Sequence, residues 1–261
     1  MNIIITGGHS GMGLELSKAI LKNGFNLGII VRSESRKKEA STLFSGENVP
    51  DIFIADLSKR DQIESVAQDI ANKWDVIDGL FNNAGVLLDK LYYSENGNEL
   101  QLEINAISPY LLTKSLKPLL DKSENPFVVN TATSGLDKKK SIDVAEFKKP
   151  KKFTKLLGSY MDSKLTLVLL MNHLSQQWGA VRIISVDPGA IKTKMTAGDG
   201  MPFWMKPIRN LFFKSPEEGA KNLYDAAFED GYTESGIYVS KGKLRKMKVA
   251  ITDAEVEQLL S

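Results

Sequence analysis

Seven short aliphatic or β-branched runs recur along the chain with longer amphipathic stretches between them, and this alternation restricts the fold more than any other feature. The runs are Ile3 to Ile5, Leu27 to Val31, Ile52 to Ile54, Leu80 to Phe81, Phe127 to Val129, Ile183 to Val186 and Ile237 to Val239. They have the length of strands rather than helices and are apolar throughout, as strands covered on both faces are. A strand that returns parallel to its neighbour needs a crossover of helical length, which the intervening stretches supply. The expected fold is α/β, a doubly wound, mainly parallel sheet with helices on both faces.

Three helix starts are explicit. Ser58 to Asp61, Ser215-Pro216-Glu217-Glu218 and Thr252 to Glu255 each fit a capping box, and Pro216 suits a first helical position. Asp137 to Lys155 is rich in lysine and lacks a period, so it reads as a surface loop between a strand and a helix. Thr196 to Phe213 mixes Gly, Pro, Met, Phe and Trp and reads as a mobile apolar cover. With neither repeat nor linker, residues 1–261 are expected to form one domain.

Composition removes several chemistries. The absence of cysteine excludes disulfides, thiolate catalysis and Cys-based zinc sites, and two histidines, His9 and His173, cannot build a histidine-rich metal site. A net charge of +2 gives no overall reason to expect nucleic acid or an anionic membrane as a partner. The chain opens directly into Asn2 to Thr6 without a signal-peptide pattern, and its longest apolar run, near Leu165 to Met171, is too short to span a bilayer. A cytoplasmic protein without a membrane span is expected.

Thr6-Gly7-Gly8-His9-Ser10-Gly11-Met12-Gly13 follows the first strand and opens a helix near Leu14. Helix N-terminal N–H groups, flanked by residues without a Cβ, let a dinucleotide pyrophosphate approach the backbone. The position is that of a Rossmann-type phosphate cradle, although the spacing is not G-x-G-x-x-G, and the bland alternative is a plain tight turn. Gly7, His9, Ser10, Gly11, Met12 and Gly13 are the candidate contacts.

Thr6 to Gly13 resembles the T-G-x-x-x-G-x-G segment of the short-chain dehydrogenase/reductase family, and Asn82-Asn83-Ala84-Gly85 matches its N-N-A-G. Tyr160-Met161-Asp162-Ser163-Lys164 matches its Y-x-x-x-K, and Asp187-Pro188-Gly189 with Ile191 and Thr193 resembles its P-G-x-x-x-T. The wording around Ser163-Lys164-Leu165, the Ser215 to Ala220 helix start and Ser235-Gly236-Ile237-Tyr238 look most like the retinol-dehydrogenase-like branch. The resemblance implies NAD(P)(H)-dependent hydride transfer to or from a carbonyl or alcohol substrate, and a homodimer or homotetramer. It implies cofactor contacts from Asn83, Ala84, Gly85, Pro188, Gly189, Ile191 and Thr193, and from Tyr160 and Lys164.

Arg32 follows the second strand, where a Rossmann fold faces the adenosine ribose and where arginine pairs with a 2′-phosphate. NADP(H) is therefore expected in preference to NAD(H); Glu34 nearby could blunt that preference, and Arg32 as a solvated charge is the bland alternative. Asp56-Leu57 resembles the family's adenine-contacting pair, or else is a strand-end turn.

Tyr160 and Lys164 are four apart, on one helix face. An ammonium at about 4 Å in an effective dielectric of about 20 contributes roughly 4 kcal/mol, enough to bring a phenol towards neutrality as a general acid and base. The family also uses a hydroxyl at the end of the fifth strand. Without gaps that position is Thr133, and Ser134 fits if the strand end is bulged. Asn105 resembles the family asparagine that links the lysine to solvent; alternatively it is a polar residue inside a helix.

Lys138 to Lys140 and Lys148 to Lys152 either attract an anionic substrate or form a solvated loop. Phe203, Trp204, Met205, Phe212 and Phe213 either line an apolar substrate pocket or pack a cover on the core. His173 is expected to be a helix-face residue. The competing function is a nicotinamide-binding redox sensor or scaffold, disfavoured because a sensor does not need both Tyr160 and Lys164.

Overall fold

The computed structural model describes residues 1–44, 48–202 and 204–261. Its strands are β1 (Asn2–Thr6), β2 (Asn26–Val31), β3 (Asp51–Ile54), β4 (Gly79–Asn82), β5 (Phe127–Thr131), β6 (Arg182–Asp187), β7 (Ile237–Ser240) and β8 (Lys243–Arg245). They form one sheet in the order 3-2-1-4-5-6-7-8, parallel except for the β7–β8 pair. All seven expected strands are present. The eighth has three exposed residues and no apolar run to reveal it; it is folded back on β7 through Lys241-Gly242, both at positive φ as a two-residue hairpin turn requires.

The main helices are α1 (Gly11–Lys22), α2 (Glu34–Leu43) and α3 (Arg60–Lys73), then a continuous helical stretch of α4 (Leu100–Leu102), a π-turn over Glu103–Ile107 and α5 (Ser108–Leu120). They continue with α6 (Val144–Lys148), α7 (Met161–Gln177), α8 (Lys194–Ala197), α9 (Met205–Phe212), α10 (Pro216–Phe228) and α11 (Asp253–Leu260). Side chains alternate across each strand. Ile3 and Ile5 join Leu16, Ile20 and Leu223 of α1 and α10 in one core, while Ile4, Leu80 and Val128 join Ile63, Leu112 and Leu167 of α3, α5 and α7 in the other.

The capping boxes at Ser215 and Thr252 are formed. The one expected at Ser58 is not: α3 starts at Arg60, and the Ser58 hydroxyl instead donates to Asp56 Oδ1 at 2.8 Å. A further box, Thr193 with Thr196, opens α8. The stretch read as a loop, Asp137 to Lys155, contains α6 and leads into a π-turn over Lys155–Tyr160, and the cover over Thr196 to Phe213 contains the short helix α9. A five-residue helix capped by Asp143 is too brief to leave a period in sequence.

Strand order reverses between β1 and β4, and in such sheets the crevice beyond the strand C-termini at that reversal is where ligands bind. Here the crevice is braced by polar bonds. Thr6 Oγ1 accepts the Asn83 and Ala84 N–H groups at 3.0 and 2.9 Å, and Asn83 Nδ2 donates to Thr6 O at 3.0 Å. Behind it, Asn82 Nδ2 donates to Asn130 Oδ1 at 2.9 Å and to Thr113 Oγ1 at 3.1 Å, locking β4, β5 and α5 together.

Candidate active site

The glycine turn closes on itself. Gly7 and Gly11 have φ of 70° and 53°, and a Cβ on Gly13 would lie 2.4 Å from Gly7 O and 2.5 Å from Asn83 Nδ2. Only glycine lets the first turn of α1 sit this close to the β1 and β4 ends. That turn points its free N–H groups at the crevice, the arrangement an anion needs. Helix α1 starts at Gly11, three residues earlier than the sequence suggests, with Ser10 extended at the N-cap and its hydroxyl not used as a cap.

Three adjoining cavities run along the strand ends. The first, about 150 Å³, is lined by His9, Arg32, Asp56, Leu57, Ala84 and Gly85 among others. The second, also about 150 Å³, shares Gly7 and Gly85 with it and adds Ser10, Gly11, Thr131, Tyr160, Lys164 and Thr193. The third, about 340 Å³, shares Met12, Thr131, Tyr160 and Thr193 with the second and continues past Thr133, Ser134, Pro188, Gly189 and Ile191 into apolar space. Every catalytic and cofactor candidate named from the sequence except Asn105 therefore borders one of these three adjoining cavities.

Tyr160 ends the π-turn that feeds α7, and Lys164 lies one turn further; both are buried. Lys164 Nζ donates to Thr131 O at 2.8 Å. Burial holds the Lys164 ammonium down, to about 8, and burial, with the charge of Asp187, pushes the Tyr160 phenol up, to about 12. The Tyr160–Lys164 spacing by itself predicts the opposite direction for the phenol, through attraction to the ammonium; desolvation penalises both charged forms and prevails in this enclosed setting.

Asn105 stands behind the cleft. Its carboxamide accepts Val86 N–H at 2.8 Å and donates to Val86 O at 2.9 Å and Ser163 Oγ at 3.0 Å, and Ser163 Oγ in turn donates to Tyr160 O at 2.7 Å. It is a clamp between the N-N-A-G turn and the start of α7, and Gly85 is so near that a Cβ there would be 3.0 Å from Asn105 Oδ1. Ser163 lies inside the Y-x-x-x-K segment, at a position that pattern leaves open.

β5 pairs in unbroken register with β6 up to Thr131, its last residue. Thr133 is half-buried and Ser134 exposed, and both border the third cavity. Tyr238 of β7 donates its hydroxyl to Thr133 O at 2.6 Å, and Ser240 Oγ donates to Asp187 Oδ2 at 2.7 Å. No short motif in the sequence announces these two supports, because they arise from β7 lying beside β6.

At the far end, Arg32 is exposed and makes no hydrogen bond or ion pair among the described residues. Asp56 is occupied by Ser58 N–H at 3.0 Å and the Ser58 hydroxyl. Burial lowers the His9 pKa, Glu39 opposes this, and Arg36 and Lys194 add to it. His9 Nδ1 and Thr131 Oγ1 are buried without a hydrogen-bond partner, each beside the cleft. Orphaned polar atoms at both ends, a Cβ-free cradle between them and an unpaired arginine fit an elongated, multiply hydrogen-bonded anionic cofactor such as a nicotinamide dinucleotide.

The remaining candidates divide. Met205 and Phe213 border the third cavity, whereas Trp204 and Phe212 point out at 52% and 75% exposure; Phe203 lies outside the described residues. Lys139 pairs with Asp162 at 2.8 Å and Lys148 reaches Gln258 O at 2.5 Å, so neither meets the cleft. His173 sits on α7, within 3.1 Å of Asp253. Among the described residues no helix is long and apolar enough to cross a membrane.

Fold, cradle and the Tyr160–Lys164 pair together describe a nicotinamide-dependent oxidoreductase of alcohol or carbonyl groups, and the chain belongs to the short-chain dehydrogenase family, which residues 1–200 match. It falls with the retinol-dehydrogenase-like branch. It is 27% identical to retinol dehydrogenase 14 of Mus musculus over 278 residues, covering 99% of this chain and 83% of that protein. A short-chain dehydrogenase/reductase of Armillaria gallica is 32% identical over 203 residues, 74% of this chain and 66% of that one. Among solved structures, the fold resembles a blue fluorescent protein from a metagenomic library in complex with NADPH, with a TM-score of 0.72, 18% identity and coverage of 92% of this chain and 95% of that one.

Proposed function

We propose that this chain transfers hydride between NADP(H) and a partly apolar carbonyl or alcohol substrate, with Tyr160 as general acid and base. The observation that carries the reading is that buried Tyr160 borders both the cofactor cleft and the larger apolar cavity, with Lys164 one turn behind it and Thr133 on the same cavity wall. A nicotinamide bound in the cleft supplies or accepts the hydride. With its pKa raised to about 12, the Tyr160 phenol is protonated at neutral pH and serves carbonyl reduction as a proton donor. Lys164 has three donors and commits one to Thr131 O, which leaves two for the phenol oxygen and the cofactor ribose. Thr133 donates its hydroxyl to the substrate oxygen, and Ser134 is the substitute for it. Asn105 and Ser163 position the Tyr160 backbone and the Val86 turn.

Arg32, without a partner among the described residues, supplies the 2′-phosphate contact that favours NADP(H) over NAD(H); the NADPH complex of a structural neighbour supports the same reading. Leu87, Leu156, Met195 and Met201 make the substrate cavity mostly apolar.

The test is NADPH consumption screened over aldehydes, ketones and quinones, followed by Tyr160→Phe with the best substrate. Removing the one oxygen should lower turnover by about a hundredfold or more while NADPH affinity stays within about twofold. A variant that keeps most of its rate across neutral pH overturns the assignment of Tyr160.

A further inference from the structure

Five of the chain's eight methionines, Met12, Met161, Met195, Met201 and Met205, line the third cavity. Among the described residues, none that lines it carries a charge. The chain has no cysteine, so thioethers are its only sulfur. A thioether packs like an aliphatic side chain, but unlike one it reacts with peroxide and becomes polar.

Three of the five hold the cover down. Met195 in α8, Met205 at the start of α9 and Met201 between them pack with Leu87, Leu156, Tyr160 and Phe213. This cluster is separate from the two cores, and its buried members are Leu87, Tyr160 and Met201. Beside it the backbone of the cover comes down on Leu87, where a Cβ on Gly200 would lie 2.2 Å from Leu87 O. Lys155 Nζ adds a polar tie to Asp199 O at 2.7 Å. Burial differs within the wall. Met201 and Met12 are 3% and 8% exposed, whereas Met195 and Met205 are half-buried where they border the cavity, within reach of a small oxidant.

We propose that Met195 and Met205 are sites of oxidation by peroxide, and that their sulfoxides lift the cover off Leu87 and Tyr160 and so disable the substrate cavity. In that step the sulfur lone pair takes the near peroxide oxygen and the O–O bond breaks. The proton on the transferred oxygen passes to the departing one, which leaves as water. The sulfur is oxidised by two electrons and the peroxide is reduced by the same two. A sulfoxide oxygen is a hydrogen-bond acceptor, and enclosing it among Leu87, Leu156 and Phe213 without a donor is unfavourable, so the cover moves towards water. The cavity's role as a substrate site rests on the proposed function, whereas oxidation and displacement rest on the packing alone.

The folded full chain, treated with hydrogen peroxide, is followed by peptide mass mapping and by brief trypsin digestion. Met195 and Met205 should each gain one oxygen about tenfold or more faster than Met171, which is fully buried in α7. Tryptic cleavage after Lys194 and Arg209 should then rise about tenfold. Met195→Leu with Met205→Leu, which keeps the apolar volume, should abolish that rise, whereas Met247→Leu, half-buried beyond β8, should not. An unchanged thermal melt of the untreated double variant checks its fold. With the best substrate, peroxide should lower wild-type turnover about tenfold, methionine sulfoxide reductase should restore it, and the double variant should keep most of its own untreated rate. Oxidation of Met195 and Met205 no faster than that of Met171 overturns the proposal. So does unchanged cleavage once both are oxidised, or a double variant that peroxide opens as readily as the wild type. If no substrate is turned over, the catalytic reading fails, and mass mapping with digestion still decides this one.

Discussion

Replacing Lys164 by Met keeps the length of a buried side chain and removes its titration. The Lys164 pKa falls from 10.5 to about 8 on folding because its ammonium is enclosed, donating to the Thr131 carbonyl. Between those values the unfolded chain holds the proton and the folded one does not, so stability rises with pH across this window. The full gap corresponds to roughly 3 kcal/mol, most of which falls between about pH 7 and about pH 10. Urea unfolding of the cofactor-free protein, followed by far-UV circular dichroism at several pH values, gives wild-type and Lys164→Met curves whose difference isolates this group. Loss of the Thr131 bond adds a constant offset and no slope. The scan stops near pH 10 because Tyr160, raised to about 12, contributes the opposite slope above its unfolded value of 10.0. Relative to the variant, the wild type should gain roughly 2 to 3 kcal/mol over the interval. Parallel curves would refute the claim that burial governs this lysine.

Two further changes probe the cleft. Arg32→Ala should weaken NADPH binding about tenfold or more and leave NADH within about twofold, because charge-assisted hydrogen bonds contribute about 1.5 to 3 kcal/mol each; fluorescence titration of both cofactors measures it, and an unchanged ratio removes Arg32 from the 2′-phosphate. Thr133→Ala should cut turnover about a hundredfold and Ser134→Ala only slightly, with NADPH affinity kept in both. The reverse ranking in steady-state kinetics would move the donor to Ser134.

The sequence by itself determined the places of the first seven strands along the chain, the glycine cradle and the Tyr160–Lys164 spacing. Each is a local pattern: an apolar run of strand length, a Cβ-free turn after β1, two side chains four apart on one helix. It also set the composition of the cavity rim, though without saying which residues of Thr196 to Phe213 face inward. Tertiary structure decided that, turning Met205 and Phe213 to the cavity and Trp204 and Phe212 to the outside. It decided that Asn105 clamps Val86 and Ser163, and that Tyr238 and Ser240, far along the chain, hold Thr133 and Asp187. It also reversed the expected direction for the Tyr160 phenol. The physical reason is common to these cases. Hydrogen-bond partners across β6 and β7, and the depth at which a charge is buried, depend on segments that meet only when the sheet is assembled, whereas helix spacing and chain turns are fixed by neighbours in sequence.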